Sequence, residues 1–359
     1  MRLLRPVLMA AVICISAAAD QITINDGARL TGKIVTADEK IIVLQTKYAG
    51  DLKVDRTMVV RIESDEMLNV TVKDGGTVKG KVEESGTSTN IAKSDGTSLT
   101  VKPDAVTAMR SDGAQKAYER EVERLTRPRW NDFWSGFVSF GLATAGGNSS
   151  TKAISTSASA TRIAGKNKLV LNFAQLYASQ KTTVPFGQTA NKISGAMRID
   201  RDVMPRLFVY GLNAYDYDKF QNLDLRAVVG GGVGFHAWKT ERGYLDVAAG
   251  GDWNHESFGA FDSVPARVRN SGEVTAGEEA AYSLYSFKLF ERFAIFPNLT
   301  STGEYRMVFD SNVSAPLAKW LEWNLGFSDR YLSNPPNGVK KNDTILIMGV
   351  RFSFDQTKR

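Results

Sequence analysis

Aromatic side chains are almost missing from the first third of the chain. Before Trp130 only Tyr48 and Tyr118 are aromatic, and every phenylalanine lies at or after Phe133. Any core built there must come from Ile, Val, Leu and Ala, and such a core is thin. Cysteine is down to one, Cys14, inside the apolar start, so the remainder has neither disulfide nor thiol chemistry. The only histidines are His236 and His255, which argues against a transition-metal site. No Lys/Arg run accompanies the formal charge of +6, so nucleic acid is not an expected partner. After the first twenty residues no apolar run is long enough for a membrane helix. Membrane insertion would have to be by closed sheet, since only helices and closed barrels satisfy every backbone polar group in lipid.

The chain opens as an export signal over 1–19. Arg2 and Arg5 form a charged start, Leu8 to Ala19 is apolar, and Ala17-Ala18-Ala19 is a small-residue cleavage site before Asp20. Bulky Ile13 before Cys14 argues against lipidation.

Residues 20–112 contain a repeat, with copies over about 24–65 and 72–112. Ile24-Asn25-Asp26-Gly27 recurs as Val72-Lys73-Asp74-Gly75, and Leu30-Thr31-Gly32-Lys33-Ile34 as Val78-Lys79-Gly80-Lys81-Val82. Leu52-Lys53-Val54 recurs as Leu99-Thr100-Val101, and Ser64-Asp65 as Ser111-Asp112. Short β-branched runs punctuated by Asp-Gly or Gly predict hairpins. Two small β-meanders follow, packed together like SH3-type half barrels and stabilising each other. Two roles are open for this module: a periplasmic binding or docking unit, or a spacer. Residues 113–129 form a linker helix, with Ala114, Tyr118, Val122 and Leu125 on one face and Pro128 ending it.

From 130 to 359 the sequence predicts an antiparallel transmembrane β-barrel of about twelve strands, so the fold class is all-β. Leu245, Val247, Ala249, Gly251 and Trp253 alternate with Asp246, Ala248, Gly250, Asp252 and Asn254. Leu321, Trp323, Leu325, Phe327 and Tyr331 alternate with Glu322, Asn324, Gly326, Ser328 and Arg330. In 303–310, Tyr305, Met307 and Phe309 alternate with Glu304, Arg306 and Asp310. The last strand places Leu346, Met348, Val350, Phe352 and Phe354 on one side. Period 2 puts each set on one face of a sheet. Short links at 165–168, 204–206, 239–242, 284–286 and 316–317 interleave with longer ones at 145–150, 180–189, 257–269 and 332–342. This is the order of periplasmic turns and outer loops in a bacterial barrel, with 219–222 the exception. Residues 151–163 are mostly Ser, Thr and Ala, and Glu278 and Glu291 lie among apolar neighbours, so no faces are assigned there.

Trp134-Ser135-Gly136 followed by Gly146-Gly147-Asn148-Ser149-Ser150-Thr151 resembles the opening of an uncharacterised family of so-called salt-induced outer-membrane proteins. Tyr215-Asp216-Tyr217-Asp218-Lys219-Phe220, Gly230-Gly231-Gly232-Val233-Gly234-Phe235 and Lys340-Lys341-Asn342-Asp343-Thr344 are similar to it as well. Gly349-Val350-Arg351-Phe352-Ser353-Phe354 looks like the assembly signal of outer-membrane barrels. The resemblance covers about 133–354. It implies an outer-membrane barrel with a link to osmotic or salt stress, and it brings no catalytic residues.

His255-Glu256-Ser257 invites comparison with barrel lipid hydrolases, but nucleophilic catalysis needs a base within reach of the hydroxyl and a group orienting that base. Alternation sends Glu256 to the other face from His255, so no catalytic residue is assigned. Gly230 to Gly234 lies inside a strand with no helix after it, so the nucleotide fingerprint fails and no cofactor is expected. The functional lead is the inward charged set: Arg226, Asp246, Asp252, Glu304, Arg306, Asp310, Glu322, Arg330 and Arg351. These line a narrow polar pore or pair across the lumen and plug it. The expected role is passive permeability or envelope maintenance in the outer membrane of a Gram-negative-type bacterium, with the module in the periplasm. Expected partners are outer-membrane lipid, the barrel-assembly machinery and a periplasmic partner or ligand of the module. The alternatives are a barrel enzyme acting on envelope lipids and a soluble periplasmic β-rich binding protein.

Overall fold

The computed structural model describes residues 19–73, 76–145, 150–181, 186–260, 265–335 and 341–357. The expected leader lies outside them apart from Ala19, as do Asp74-Gly75, Gly146 to Ser149 and Lys340. Two compact units divide between Arg124 and Leu125.

The first unit has ten strands: β1 (Asp20–Ile24), β2 (Arg29–Ala37), β3 (Ile41–Thr46), β4 (Gly50–Asp55), β5 (Val59–Glu63), β6 (Leu68–Val72), β7 (Thr77–Ser85), β8 (Ser88–Lys93), β9 (Ser98–Val101) and β10 (Val106–Arg110). Helix α1 (Asp112–Thr126) follows, with Arg110 stacked over the Tyr118 ring at 3.9 Å. The two copies do not stand as separate half barrels. Strands β1, β5, β7, β6, β10 and β2 close into one six-stranded ring through the β1–β2 pairing, while β3–β4 and β8–β9 extend from β2 and β7. Each copy's last strand pairs with the other copy's second strand, β5 with β7 and β10 with β2.

Two residue facts explain the exchange. Neither copy buries an aromatic side chain, since Tyr48, the one aromatic residue in them, is 99 % exposed. The aliphatic positions of both copies therefore meet in one core of Ile22, Ile34, Leu44 and Ile62 with Val70, Val82, Ile91 and Met109, all at most 2 % exposed. Interleaving also closes the edges of the first, second and last strands of each copy, leaving β4 and β9 as the edge strands.

The second unit is a closed antiparallel barrel of twelve strands. They are β11 (Trp134–Ala145), β12 (Ser150–Ala164), β13 (Asn167–Lys181), β14 (Phe186–Asp202), β15 (Leu207–Asp218), β16 (Leu223–Thr240), β17 (Gly243–Phe258), β18 (Arg267–Leu284), β19 (Phe287–Pro297), β20 (Tyr305–Pro316), β21 (Leu321–Leu332) and β22 (Asn342–Asp355). Glu304 falls just before β20, in a 298–304 link that the sequence did not mark. The 219–222 link is short because Asp218 caps a tight turn there, accepting from the Phe220 and Gln221 amides, and Asn222 takes a left-handed conformation.

The outer wall is apolar. Phe140, Leu142, Val229, Val233, Trp253, Phe327, Leu346, Met348, Phe352 and Phe354 are all exposed on it. So continuous an apolar surface on a closed sheet suits lipid rather than water.

The barrel interior as candidate functional site

Contacts between strands that are not neighbours identify the inner face. Lys168 on β13 reaches Glu279 on β18 at 3.2 Å, and Lys192 on β14 reaches Asp343 on β22 at 3.1 Å. These strands lie five and four places apart around the ring, so both pairs span the lumen.

The charged residues singled out in the sequence fall into this network. Arg226 and Arg269 both bind Glu256, at 2.8 and 2.6 Å, and Arg269 also reaches Glu304 at 3.3 Å. Glu256 is 1 % exposed, so its charge is held wholly by those two guanidiniums. Arg306 binds Glu273 at 2.7 Å, and Asn254 donates to the same carboxylate at 3.0 Å. Asp310 lies between Arg292 and Arg330, at 2.8 and 2.7 Å. Lys288 holds Glu322, which also accepts from Ser353. Arg351 donates to Asn312 at 2.8 Å and stacks over the Phe137 ring at 3.8 Å. Asp246 accepts from the His236 Nδ1–H at 2.7 Å, and Asp252 accepts from Thr275. Sequence reasoning missed Lys168, Lys192, Arg198, Glu273 and Glu279, because their strands lack clean alternation and their partners lie far away in sequence.

The short-link end of the interior is filled by rings. Phe208 and Tyr210 project from β15 over Gly234, Gly232 and Gly250, where any side chain would strike those rings or the backbone behind them. His236 packs on Phe208 at 4.9 Å, and Arg198 lies over Tyr210 at 4.4 Å. The Gly230–Gly234 run is thus the floor on which large inward side chains lie, and it belongs to strand β16 rather than to a phosphate loop. At the other end a cavity of about 40 Å³ opens between Lys192, Asp218, Arg226, Arg306, Arg330 and Asp343. It holds a few water molecules at most.

His255 sits on the outer side. It stacks on Trp253 at 5.6 Å, and its Nδ1 pairs with Asn270 at 2.7 Å, while Glu256 points inward. Ser257 shares the outer face two residues along, too far for its hydroxyl to meet the imidazole directly. Among the described residues no cluster of His, Cys, Asp and Glu is arranged to hold a metal ion.

Among solved structures, the chain is similar to an outer membrane channel from Pseudomonas putida F1, at 11 % identity and a TM-score of 0.39, covering 62 % of this chain and 96 % of that one. It is also similar to the translocator domain of autotransporter NalP from Neisseria meningitidis, at 12 % identity and a TM-score of 0.38, covering 67 % and 97 %. No curated protein matches it in sequence. The family model described as a protein of unknown function, DUF481, matches residues 138–354, more than half of the chain. The chain belongs to this DUF481 family.

Proposed function

We propose that this chain is an outer-membrane barrel of narrow bore that serves passive permeation of small solutes, or envelope maintenance under osmotic and salt stress. The observation that carries the reading is the pair of ion bridges across the lumen, Lys168–Glu279 and Lys192–Asp343. A wide pore keeps opposite walls apart, whereas here side chains tie them together. Twelve strands also fall between the side-chain-filled eight-stranded barrels and the open sixteen-stranded porins. Arg226, Asp246, Asp252, Glu304, Arg306, Asp310, Glu322, Arg330 and Arg351 are, on this reading, the lumen lining.

The duplicated unit belongs in the periplasm. The chain enters the barrel at the short-link end, and short links face the periplasm in bacterial barrels. Outer-membrane lipid and the barrel-assembly machinery are the partners this address requires. His255 supports no enzymatic role, because its ring is committed to Trp253 and Asn270.

Single-channel recording of residues 20–359 in a planar bilayer tests the proposal, with heat-modifiable gel mobility as the control for folding. Folded wild-type protein is expected to give small steps, and Lys192→Ala with Asp343→Ala larger ones. Porin-sized steps from the wild type, or a double variant indistinguishable from it, would overturn the narrow bore. Growth of a gene deletion at raised salt tests the stress role, and unchanged growth would remove it.

A further inference from the structure

The inner face of the barrel is not lined evenly. Lys168 on β13 reaches across the lumen, and so does Lys192 on β14, whose paired position on β13 is Leu176. Asn172 and Ala174 lie between those two levels with the same period-2 parity, so they also point inward. Both are exposed. Their cross-strand partners are Ser159 and Ser157 on β12, and Ala196 and Ser194 on β14. On the far wall the inward Asp252, Asn254, Ser271, Glu273 and Thr275 of β17 and β18 are buried. An exposed residue on the inner face of a closed sheet borders space that the other side chains leave open.

The ion bridges show where that space lies. In the ring, Lys192–Asp343 parts β11, β12 and β13 from β15 to β21. Lys168–Glu279 parts β14 to β17 from β19 to β22, β11 and β12. The long side chains of Arg226, Arg269, Arg306 and Arg330 reach into the lumen from β16 to β21 and end on carboxylates of that same wall. Phe208 and Tyr210 fill the β15 side near the short links. Serine and alanine reach little beyond the backbone, so the wall around β12 and β13 stays clear of both bridges.

We infer that the passage runs off-centre, against β12 and β13, and that it admits small uncharged polyols while holding back ions of the same size. The inference rests on the permeation reading proposed above and names its solute class. Ser157, Ser159, Asn172, Ala174, Ser194 and Ala196 line the passage. Hydroxyl and amide groups both donate and accept, so they can replace the water on a solute's own hydroxyls. They offer no full charge to an ion that must shed water in a narrow bore. The charges of the far wall are engaged with each other, Glu256 between Arg226 and Arg269, and Asp310 between Arg292 and Arg330. An apolar solute would strip water from Ser157, Ser159, Asn172 and Ser194 and return nothing.

Osmotic swelling of lipid vesicles carrying residues 20–359 tests this. The probes are erythritol and sodium erythronate, which has the same carbon skeleton ending in a carboxylate. Erythritol is expected to enter at least tenfold faster. Outside the expected leader the chain has no cysteine, so Ala174→Cys places a single thiol in the passage, and a bulky uncharged methanethiosulfonate can be attached after folding. Mass spectrometry reports labelling, and heat-modifiable mobility reports folding. Labelling the Ala174→Cys variant is expected to cut erythritol entry at least fivefold. Ala294→Cys, inward on β19 across the lumen, is the reference. It is expected to resist the reagent or, once labelled, to keep more than half its rate. If Ala174→Cys does not fold, Ser159→Cys carries the same comparison. A smaller preference for erythritol overturns the solute class. Failure to label at Ala174, a loss below fivefold there, or an equal loss at Ala294 overturns the position. Each of these leaves a narrow channel standing. Folded protein that admits neither probe and gives no conductance steps removes the permeation reading and this passage together.

Discussion

Gly32 and Gly80 occupy the same place in the two copies of the first unit, and each lies under a carbonyl of the neighbouring strand. A Cβ on Gly32 would fall 2.5 Å from the Gln45 carbonyl oxygen, and one on Gly80 would fall 2.6 Å from that of Ala92. Backbone cannot yield as a side-chain tip can. Gly32→Ala and Gly80→Ala are each expected to destabilise the unit by about 1–3 kcal/mol, the usual range for overpacking. Gly113→Ala is the control, because open space surrounds Gly113 at the start of α1 and alanine favours helix there. Protease protection of the 20–112 region in the full chain reads all three. Equal resistance of the three variants would show that these glycines carry no packing constraint.

The two copies differ at two buried spots, Asp20 against Leu68 and a second around Glu84. Glu84 binds Arg56 at 2.7 Å and accepts from Thr89 at 2.9 Å, where the first copy has Ala37 and Ile42. Glu84→Ala leaves the Arg56 guanidinium largely buried with no counter-charge, at a cost of about 3 kcal/mol or more. Changing Arg56→Leu and Glu84→Leu together is expected to recover most of that loss, since an apolar pair of similar volume avoids the desolvation of both ions. Thermal melting of the full chain with the two variants separates the cases. If the double variant is as weak as the single one, the trio has a role other than filling this spot.

Glu256 poses the same question inside the barrel, more severely. It is 1 % exposed and serves two arginines at once. Glu256→Gln keeps the shape and removes the charge, so Arg226 and Arg269 lose their common partner. About 3–5 kcal/mol of folding free energy should go with it. Urea titration of the heat-modifiable band in lipid vesicles measures the loss. A smaller effect than that of Glu304→Gln, which has a single ion pair, the longer 3.3 Å contact to Arg269, beside a hydrogen bond from Asn334, would contradict the central place given to Glu256.

The strand faces that are legible in the sequence are those where one residue of each pair is plainly apolar and the next plainly charged. β17 and β21 are of that kind; alternation puts Asp246 and Glu322, and Arg351 on β22, on one face of their strands, and the link lengths of a membrane barrel make that face the inner one. The closed ring is legible too, from the interleaving of short and longer links. Glu278 and Glu291 are not, because an outward charge breaks the rule by which faces are read, and only the registers with Glu279 and Arg292 assign them. β12 hides for the opposite reason, its serines, threonines and alanines being acceptable on either face. The strand exchange in the first unit is out of reach as well. A repeat announces two similar pieces, but pairing within a copy and pairing between copies satisfy the same hydrophobic pattern.

Phe208 and Gly234 form a directly paired position on β15 and β16, with the ring lying over the glycine. A methyl group on Gly234 would collide with that ring, which is 1 % exposed and already packed at a tilt against His236. Gly234→Ala alone should therefore force Phe208 out of its rotamer, costing about 1–3 kcal/mol. Phe208→Ala alone should cost as much or more by leaving a void at the short-link end. Combined, the two changes should cost less than the sum of the singles, because the clash disappears with the ring. The same series reads the bore. If Phe208 helps close the short-link end, Phe208→Ala should raise single-channel conductance while the folded gel mobility persists. Additive stabilities with unchanged conductance would mean that the ring packs elsewhere and that the narrowing lies wholly in the ion bridges above it.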